Sequence, residues 1–271
     1  GGGATDGYLH LGWFQANTLN VATSKDRGAT WSTPQRLTGG GAPWIAAGPN
    51  GRVYASTLVN GTDGLTTVLY RSEDAGATFG SAIPLYAWSP LNGPLKDLGF
   101  HQTAADFSTR PTRGNVYLIY PALQPSRSRP VSVFFKRSTD EGRTWSEPMR
   151  LSAPPELGRD AGLPTLAVDD ATGEVTVSWL DLRDDPANQL ARVYAARSTD
   201  GGRTFETAAF TQSFNVAAGG FLGHYNQTAA RAGRRLAVFS DGAGHLAVAR
   251  LNFSPVEEPP RPPRRRATTR R

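Results

Sequence analysis

The sequence predicts an all-β fold, a propeller built from four-stranded antiparallel blades. Three observations carry that reading. A string of the form Ser-x-Asp-x-Gly-x-Thr-aromatic occurs four times in 271 residues, as "SKDRGATW" (24–31), "SEDAGATF" (72–79), "STDEGRTW" (138–145) and "STDGGRTF" (198–205). With each fixed position matched about once in twenty, one such string is expected about once per million windows, so the repeat is internal duplication and not chance. The starts lie 48, 66 and 60 residues apart, a spacing that suits one blade per unit. Finally, 30 Gly and 20 Pro against 19% charged residues point to a chain rich in turns, and no stretch of the body shows a helical period.

Each unit reads as four short strands. In the fourth, "PTLAVD" alternates apolar and polar, "DATGE" is a turn, "VTVSW" alternates again, and "ARVYAARS" and "TFETAAF" follow a loop. The same grammar places "GYLHLGWF", "TLNVATS" and "TWSTPQRL" in unit one, "APWIAAGPNGRVYASTL" and "TTVLYRS" in unit two, "HQTAADFSTRPTRGNVYLIY" and "VSVFFKRS" in unit three, and "NQTAARAGRRLAVFS" and "HLAVARLNF" in unit five. The count runs three, four, four, four and three strands. Unit one is expected to lack its first strand and unit five its fourth.

The repeated string sits at the hairpin between the third and fourth strands of a unit. Its Asp accepts backbone N–H groups two residues on, its Gly supplies positive φ, its hydroxyls tie the strand ends, and its aromatic packs beneath the turn. The expected structural set is Ser24, Asp26, Gly28, Thr30 and Trp31, then Ser72, Asp74, Gly76, Thr78 and Phe79, then Ser138, Asp140, Gly142, Thr144 and Trp145, and last Ser198, Asp200, Gly202, Thr204 and Phe205. One recurring carboxylate per turn favours this role over a calcium site, and no metal or other cofactor is expected.

Bulk properties narrow the partners. Zero Cys excludes disulfides, thiolate zinc sites and Cys nucleophiles. No apolar run is long enough for a membrane span. The net charge is +6, but the tail "PVEEPPRPPRRRATTRR" holds six Arg and two Glu, leaving 23 basic and 21 acidic residues in the body. The domain reading is therefore a propeller over 1–254 and a disordered Pro/Arg-rich tail over 255–271. With no RNA-binding or helix-turn-helix pattern beside the tail, nucleic acid is not expected as a partner. The chain opens "GGGATDGYLH" and its one Met is Met149, so the propeller is expected to be incomplete at its N-terminus.

The four strings resemble the Asp-box, or BNR, repeat of the sialidase-type propellers, with "GPNGRVYAS", "WLDLRDD" and "LGHYNQTAA" as supporting phrases. The resemblance covers roughly residues 7–253. It implies a six-bladed ring of which five blades are visible here, a secreted location, and a sialidase-like glycoside hydrolase acting on terminal sialosides or related glycans. Asp boxes also occur in propellers that hydrolyse nothing, so a glycan- or protein-binding scaffold is the alternative.

Propeller geometry places the Asp boxes and the first-to-second turns on one face, and the second-to-third loops and blade crossovers on the other. Ligand chemistry belongs to the second face. Its candidates are Lys96, Asp97, His101, Arg127, Arg129, Arg159, Asp160, Asp181, Arg183, Asp184, His224 and Tyr225. The resemblance implies three Arg that grip a sugar carboxylate in bidentate fashion, a Tyr nucleophile activated by Glu, and an Asp acid/base. The family's Arg-Ile-Pro motif is absent from this chain. Arg183 and Arg159 are the expected clamp residues, with His101 on the rim. Tyr225 is the expected nucleophile, and Asp181 or His224 the acid/base, the Asp only if burial raises its pKa.

Overall fold

The computed structural model describes residues 7–61, 64–87, 95, 100–123, 130–216 and 226–253. They form five antiparallel sheets in chain order. Sheet I holds β1 (Leu9–Gln15), β2 (Thr18–Ser24) and β3 (Gln35–Thr38). Sheet II holds β4 (Trp44–Ala47), β5 (Val53–Gly61), β6 (Gly64–Ser72) and β7 (Ile83–Ala87). Sheet III holds β8 (Gln102–Ala105), β9 (Val116–Leu123), β10 (Val131–Ser138) and β11 (Met149–Arg150). Sheet IV holds β12 (Ala161–Val168), β13 (Val175–Asp181), β14 (Leu190–Ser198) and β15 (Glu206–Ala209), and sheet V holds β17 (Gln227–Arg231), β18 (Arg234–Ser240) and β19 (Leu246–Arg250). The strand counts match the sequence reading unit by unit. One strand is additional: β16 (Phe214–Asn215) pairs with Leu190 and Ala191 of β14, beyond the stretch that β15 covers.

Successive sheets stack face to face, and the period of two along each strand feeds a separate interface on either side. Along β9, Val116, Leu118 and Tyr120 pack towards sheet II with Tyr54 and Leu69, while Tyr117 and Ile119 pack towards sheet IV with Val177 and Trp179. Both faces are buried, which is why "VYLIY" reads as an unbroken apolar run. Leu19 and Val21 join sheet I to Ala55 and Val68 of sheet II, and Leu180 and Val193 of sheet IV meet Ala237 and Phe239 of sheet V. The far face of sheet V stays open among the described residues, with Leu246 79% and Val248 62% exposed.

The four Asp boxes share one hydrogen-bond pattern. The Ser hydroxyl donates to the Asp Oδ1 at 2.7–2.8 Å, and the Gly N–H donates back to that Ser oxygen at 2.7–2.8 Å. The Thr four residues after the Asp gives its N–H to Oδ1 at 2.8–3.0 Å and its hydroxyl to Oδ2 at 2.5–2.6 Å. The Asp thus reaches four residues on, not the two expected from a simple Asx turn, because the loop must span to the fourth strand. The two residues before the second bond are left-handed in every box: Arg27 and Gly28, Ala75 and Gly76, Glu141 and Gly142, Gly201 and Gly202.

The box also seats each sheet on the one before it. A methyl on Gly76 would lie 2.6 Å from the Thr23 hydroxyl, on Gly142 3.0 Å from the Tyr54 ring, and on Gly202 2.7 Å from the Phe135 ring. The box aromatics follow the same rule: Phe79, Trp145 and Phe205 pack into the interface with the preceding sheet. Trp31 departs from the expectation and is 44% exposed, since no described sheet precedes sheet I.

Two predictions follow from the boxes. Gly202→Ala adds a ring clash to a left-handed backbone and is expected to lower stability by about 3–5 kcal/mol. Gly28→Ala meets nothing closer than 3.4 Å and is expected to cost about 1–2 kcal/mol; urea unfolding of both variants checks the order. The second concerns acid. Partial burial pushes Asp140 and Asp200 up, but the bonds from Thr and Ser outweigh it and hold both at about 2 against an ordinary 3.8. A carboxyl depressed in the folded state stabilises above its unfolded pKa and loses that contribution as pH falls through the folded one. Asp140→Asn is expected to separate from wild type above pH 4 and to converge on it between pH 4 and 2, read as urea midpoints.

Candidate functional site

The loops sort onto two faces as expected. The β13–β14 loop and the crossover into sheet IV meet at one end, where the Asp160 N–H donates to Asn188 Oδ1 and the Leu182 N–H to the Asp160 carbonyl. At the other end, the Arg52 guanidinium after the β4–β5 turn pairs with Glu141 of an Asp box at 2.9 Å.

The cluster on the face of the β13–β14 loop grows from the β13–β14 register. Trp179 pairs with Tyr194 and Asp181 with Arg192, so all four side chains share the sheet face that packs on sheet III. Asp181 closes β13 fully buried. Its Oδ2 accepts the Trp179 Nε1–H at 2.7 Å and Arg183 Nη2 at 2.6 Å, and its Oδ1 accepts the Arg183 backbone N–H at 2.9 Å. Arg183 is thereby bent back over the Tyr194 ring, its guanidinium carbon 4.1 Å from the centroid. The Arg183 Nε is buried with no hydrogen-bond partner, while the side chain as a whole is 21% exposed. Tyr194 donates its hydroxyl to Asp184 Oδ2 at 2.7 Å. Burial first, and then that bond to a carboxylate, push Tyr194 up to about 12. Arg192 completes the rim, giving Nη1 to Asp184 at 3.2 Å and Nε to the Thr211 carbonyl at 2.8 Å.

The remaining candidates fall elsewhere. Asp160 is a framework carboxylate: Oδ1 accepts the Val131 N–H at 2.9 Å and Oδ2 the Asn188 amide at 2.8 Å, tying sheet III to the loop of sheet IV. Arg159 beside it is half-buried and bonds to the Gly158 carbonyl at 3.4 Å. His101 is not on the rim but buried between sheets II and III, its Nε2 2.7 Å from the Ser56 hydroxyl. Burial pulls it down to about 4, which fits a neutral ring packed among Tyr86 and Ser56. Lys96, Asp97, Arg127, Arg129, His224, Tyr225 and the tail over 255–271 lie outside the described residues.

Three guanidinium groups do converge, but on the Asp-box face. Arg52, Arg71 and Arg143 surround Glu141, and Arg71 and Arg143 also reach Glu73. The carboxylates already occupy them, so this is an ion network that joins sheets II and III. Sequence reasoning missed Tyr194 and Arg192 at the cluster around Arg183. Their signal was the alternation in "ARVYAARS", which sets both on the face of Asp181 once the hairpin register is known. Among the described residues no group of three or more His, Cys, Asp or Glu gathers as a metal centre, and no helix is long and apolar enough to cross a membrane.

No protein-family model matches the sequence, and no curated protein does. Solved structures do. An α-L-arabinanase of Penicillium chrysogenum complexed with arabinobiose is 15% identical, with 90% of each chain covered and a TM-score of 0.55. The GH93 α-L-arabinofuranosidase of Fusarium graminearum, also with arabinobiose, is 14% identical over 92% of this chain and 90% of that one, at a TM-score of 0.51. The Hadza microbial sialidase Hz136 is 14% identical over 85% of this chain at a TM-score of 0.51. The chain spans about half of that sialidase, 51% of its length. At such identities the likeness shows the fold: this chain is a β-propeller of the kind found in sialidases and arabinanases.

Proposed function

We propose that this chain is the propeller of a sialidase-like glycoside hydrolase whose open face takes a terminal sugar bearing a carboxylate, a sialoside or related glycan. The observation that carries the reading is Arg183. Its guanidinium is fixed by Asp181 through Nη2 and stacked on Tyr194, and the side chain keeps 21% of its surface open to solvent. A cation held in one orientation with donors to spare suits a planar carboxylate better than a neutral hydroxyl face. In this reading Asp181 positions Arg183, since each of its oxygens already accepts a bond and it lies buried. Arg159 is the second clamp residue, Tyr225 the nucleophile and His224 the acid/base. In the same reading the protein acts outside the cell, where terminal glycans are displayed.

The fully engaged Asp181 also favours a second reading, a propeller that binds such glycans without cleaving them. Neutral arabinosides, the ligands of two structural neighbours, are the competing chemistry.

Calorimetry with 3′-sialyllactose, lactose and arabinobiose, paired with release from a fluorogenic sialoside, separates these. Sialyllactose is expected to bind and lactose not, and Arg183→Lys, which keeps the charge and loses the planar fork, is expected to weaken binding about 10- to 100-fold with the fold intact by thermal unfolding. Release of fluorophore assigns hydrolysis; binding without release assigns the second reading. Equal affinity for lactose and sialyllactose, or preference for arabinobiose, contradicts the carboxylate clamp.

A further inference from the structure

The turns that join the first and second strands of sheets III and IV are built on one plan. Asp106 follows β8 and Asp169 follows β12. Each Asp N–H donates to the carbonyl that opens the next strand, Asn115 or Glu174, at 2.9 Å, and each Asp carbonyl accepts a glycine N–H, from Gly114 at 2.9 Å or Gly173 at 2.7 Å. Each Oδ1 accepts the N–H two residues on, Ser108 at 2.7 Å and Ala171 at 2.9 Å. Both residues are 0% exposed.

They differ at Oδ2. Asp169 Oδ2 accepts the N–H of Gly233 from the corresponding turn of sheet V at 2.7 Å. The neighbour that Asp106 meets is Gly173 from the turn of sheet IV, and its N–H is already given to Asp169. Asp106 therefore faces the Gly173 Cα, and its buried Oδ2 has no hydrogen-bond partner. Two more oxygens line the same glycine. A methyl on Gly173 would lie 2.8 Å from Ser108 Oγ, 3.1 Å from Asp106 Oδ2 and 3.1 Å from Thr112 Oγ1. A buried carboxylate oxygen left without donor or cation is strongly unfavourable. Carboxylates crowd the junction: Asp170 is pushed up, first by burial and then by the Asp169 and Asp106 carboxylates, with Arg231 opposing, and Arg113 gives Nη1 to the Phe107 and Ser108 carbonyls, not to the Asp106 carboxylate.

We propose that Asp106 Oδ2, Ser108 Oγ and Thr112 Oγ1 bind a hard, oxygen-preferring cation, sodium or calcium, at the junction of sheets III and IV. An all-oxygen donor set with one carboxylate suits ions of this class. Magnesium fits less well, since it needs near-ideal octahedral geometry and keeps several waters. The site is no carboxylate cage, so affinity belongs in the weak range of extracellular modules, a Kd of about 10⁻⁴–10⁻³ M. The ion supplies across this junction what the Gly233 N–H supplies across the next.

Thermal unfolding of the chelator-treated chain in choline chloride, sodium chloride and calcium chloride at matched ionic strength tests this. Sodium or calcium is expected to raise the midpoint by several degrees over choline, saturably, at about 100-fold excess over Kd. Asp106→Asn keeps the Oδ1 acceptor for Ser108 and is expected to abolish the shift. Thr112→Val, half-exposed and nearly isosteric, is expected to reduce it and serves if Asp106→Asn does not fold. Equal midpoints in all three salts, or a shift that survives both substitutions, overturn the proposal.

Discussion

The fold depends on one small arrangement, the carboxylate of each Asp box holding a left-handed pair of residues against the sheet before it. Two consecutive positive φ values are costly for ordinary residues. The Asp offsets that cost by accepting from both the N–H and the hydroxyl of the Thr four residues on, while the Ser oxygen takes the Gly N–H. The turn so fixed brings the Gly within van der Waals contact of Thr23, Tyr54 or Phe135 on the neighbouring sheet. A hairpin feature thereby becomes an interface feature. Without it, the third and fourth strands would still pair, but each sheet would lose the contact its box makes with the sheet before it, leaving the stagger to the ion pairs and Asp bonds between loops, and the two-sided burial of strands such as β9 would be less firmly registered.

Much of this was legible in the sequence. The repeat gave the number of units, and alternation gave the strands, because a half-turn period and a turn signal are local properties. The three-four-four-four-three strand count needed nothing more. What the sequence could not carry was anything set by a partner sheet. The exposure of Trp31 follows from which sheet lies behind it, and β16 forms because β14 runs four residues beyond the last partner that β15 offers it. Neither is encoded within its own segment.

The candidate site was legible by face and not by neighbour. Sorting loops onto two ends found Arg183 and Asp184, since propeller connectivity alone fixes that. It could not show that Asp181 is buried and occupied, or that His101, one residue ahead of β8, turns inward to Ser56 and not outward to a ligand. Those outcomes turn on which side of a strand faces the next sheet, a choice that one residue of register reverses. Tyr194 was invisible for the same reason. The ion networks divide likewise: Arg183 has donors left over, whereas Arg52, Arg71 and Arg143 are consumed by Glu141 and Glu73, and the sequence lists all of them alike as arginines.

Hydrogen exchange read by mass spectrometry tests most directly whether the boxes seat the sheets. If each box is locked to its predecessor, the segments over 138–146 and 198–206 open only with global unfolding, and their exchange tracks that of β9 and β13 as urea is added. The segment over 24–31, with no described sheet behind it, exchanges earlier. Exchange of all the box segments at the rate of a free loop, well ahead of β9 and β13, would contradict the account and leave the boxes as hairpin turns with no part in holding the sheets together.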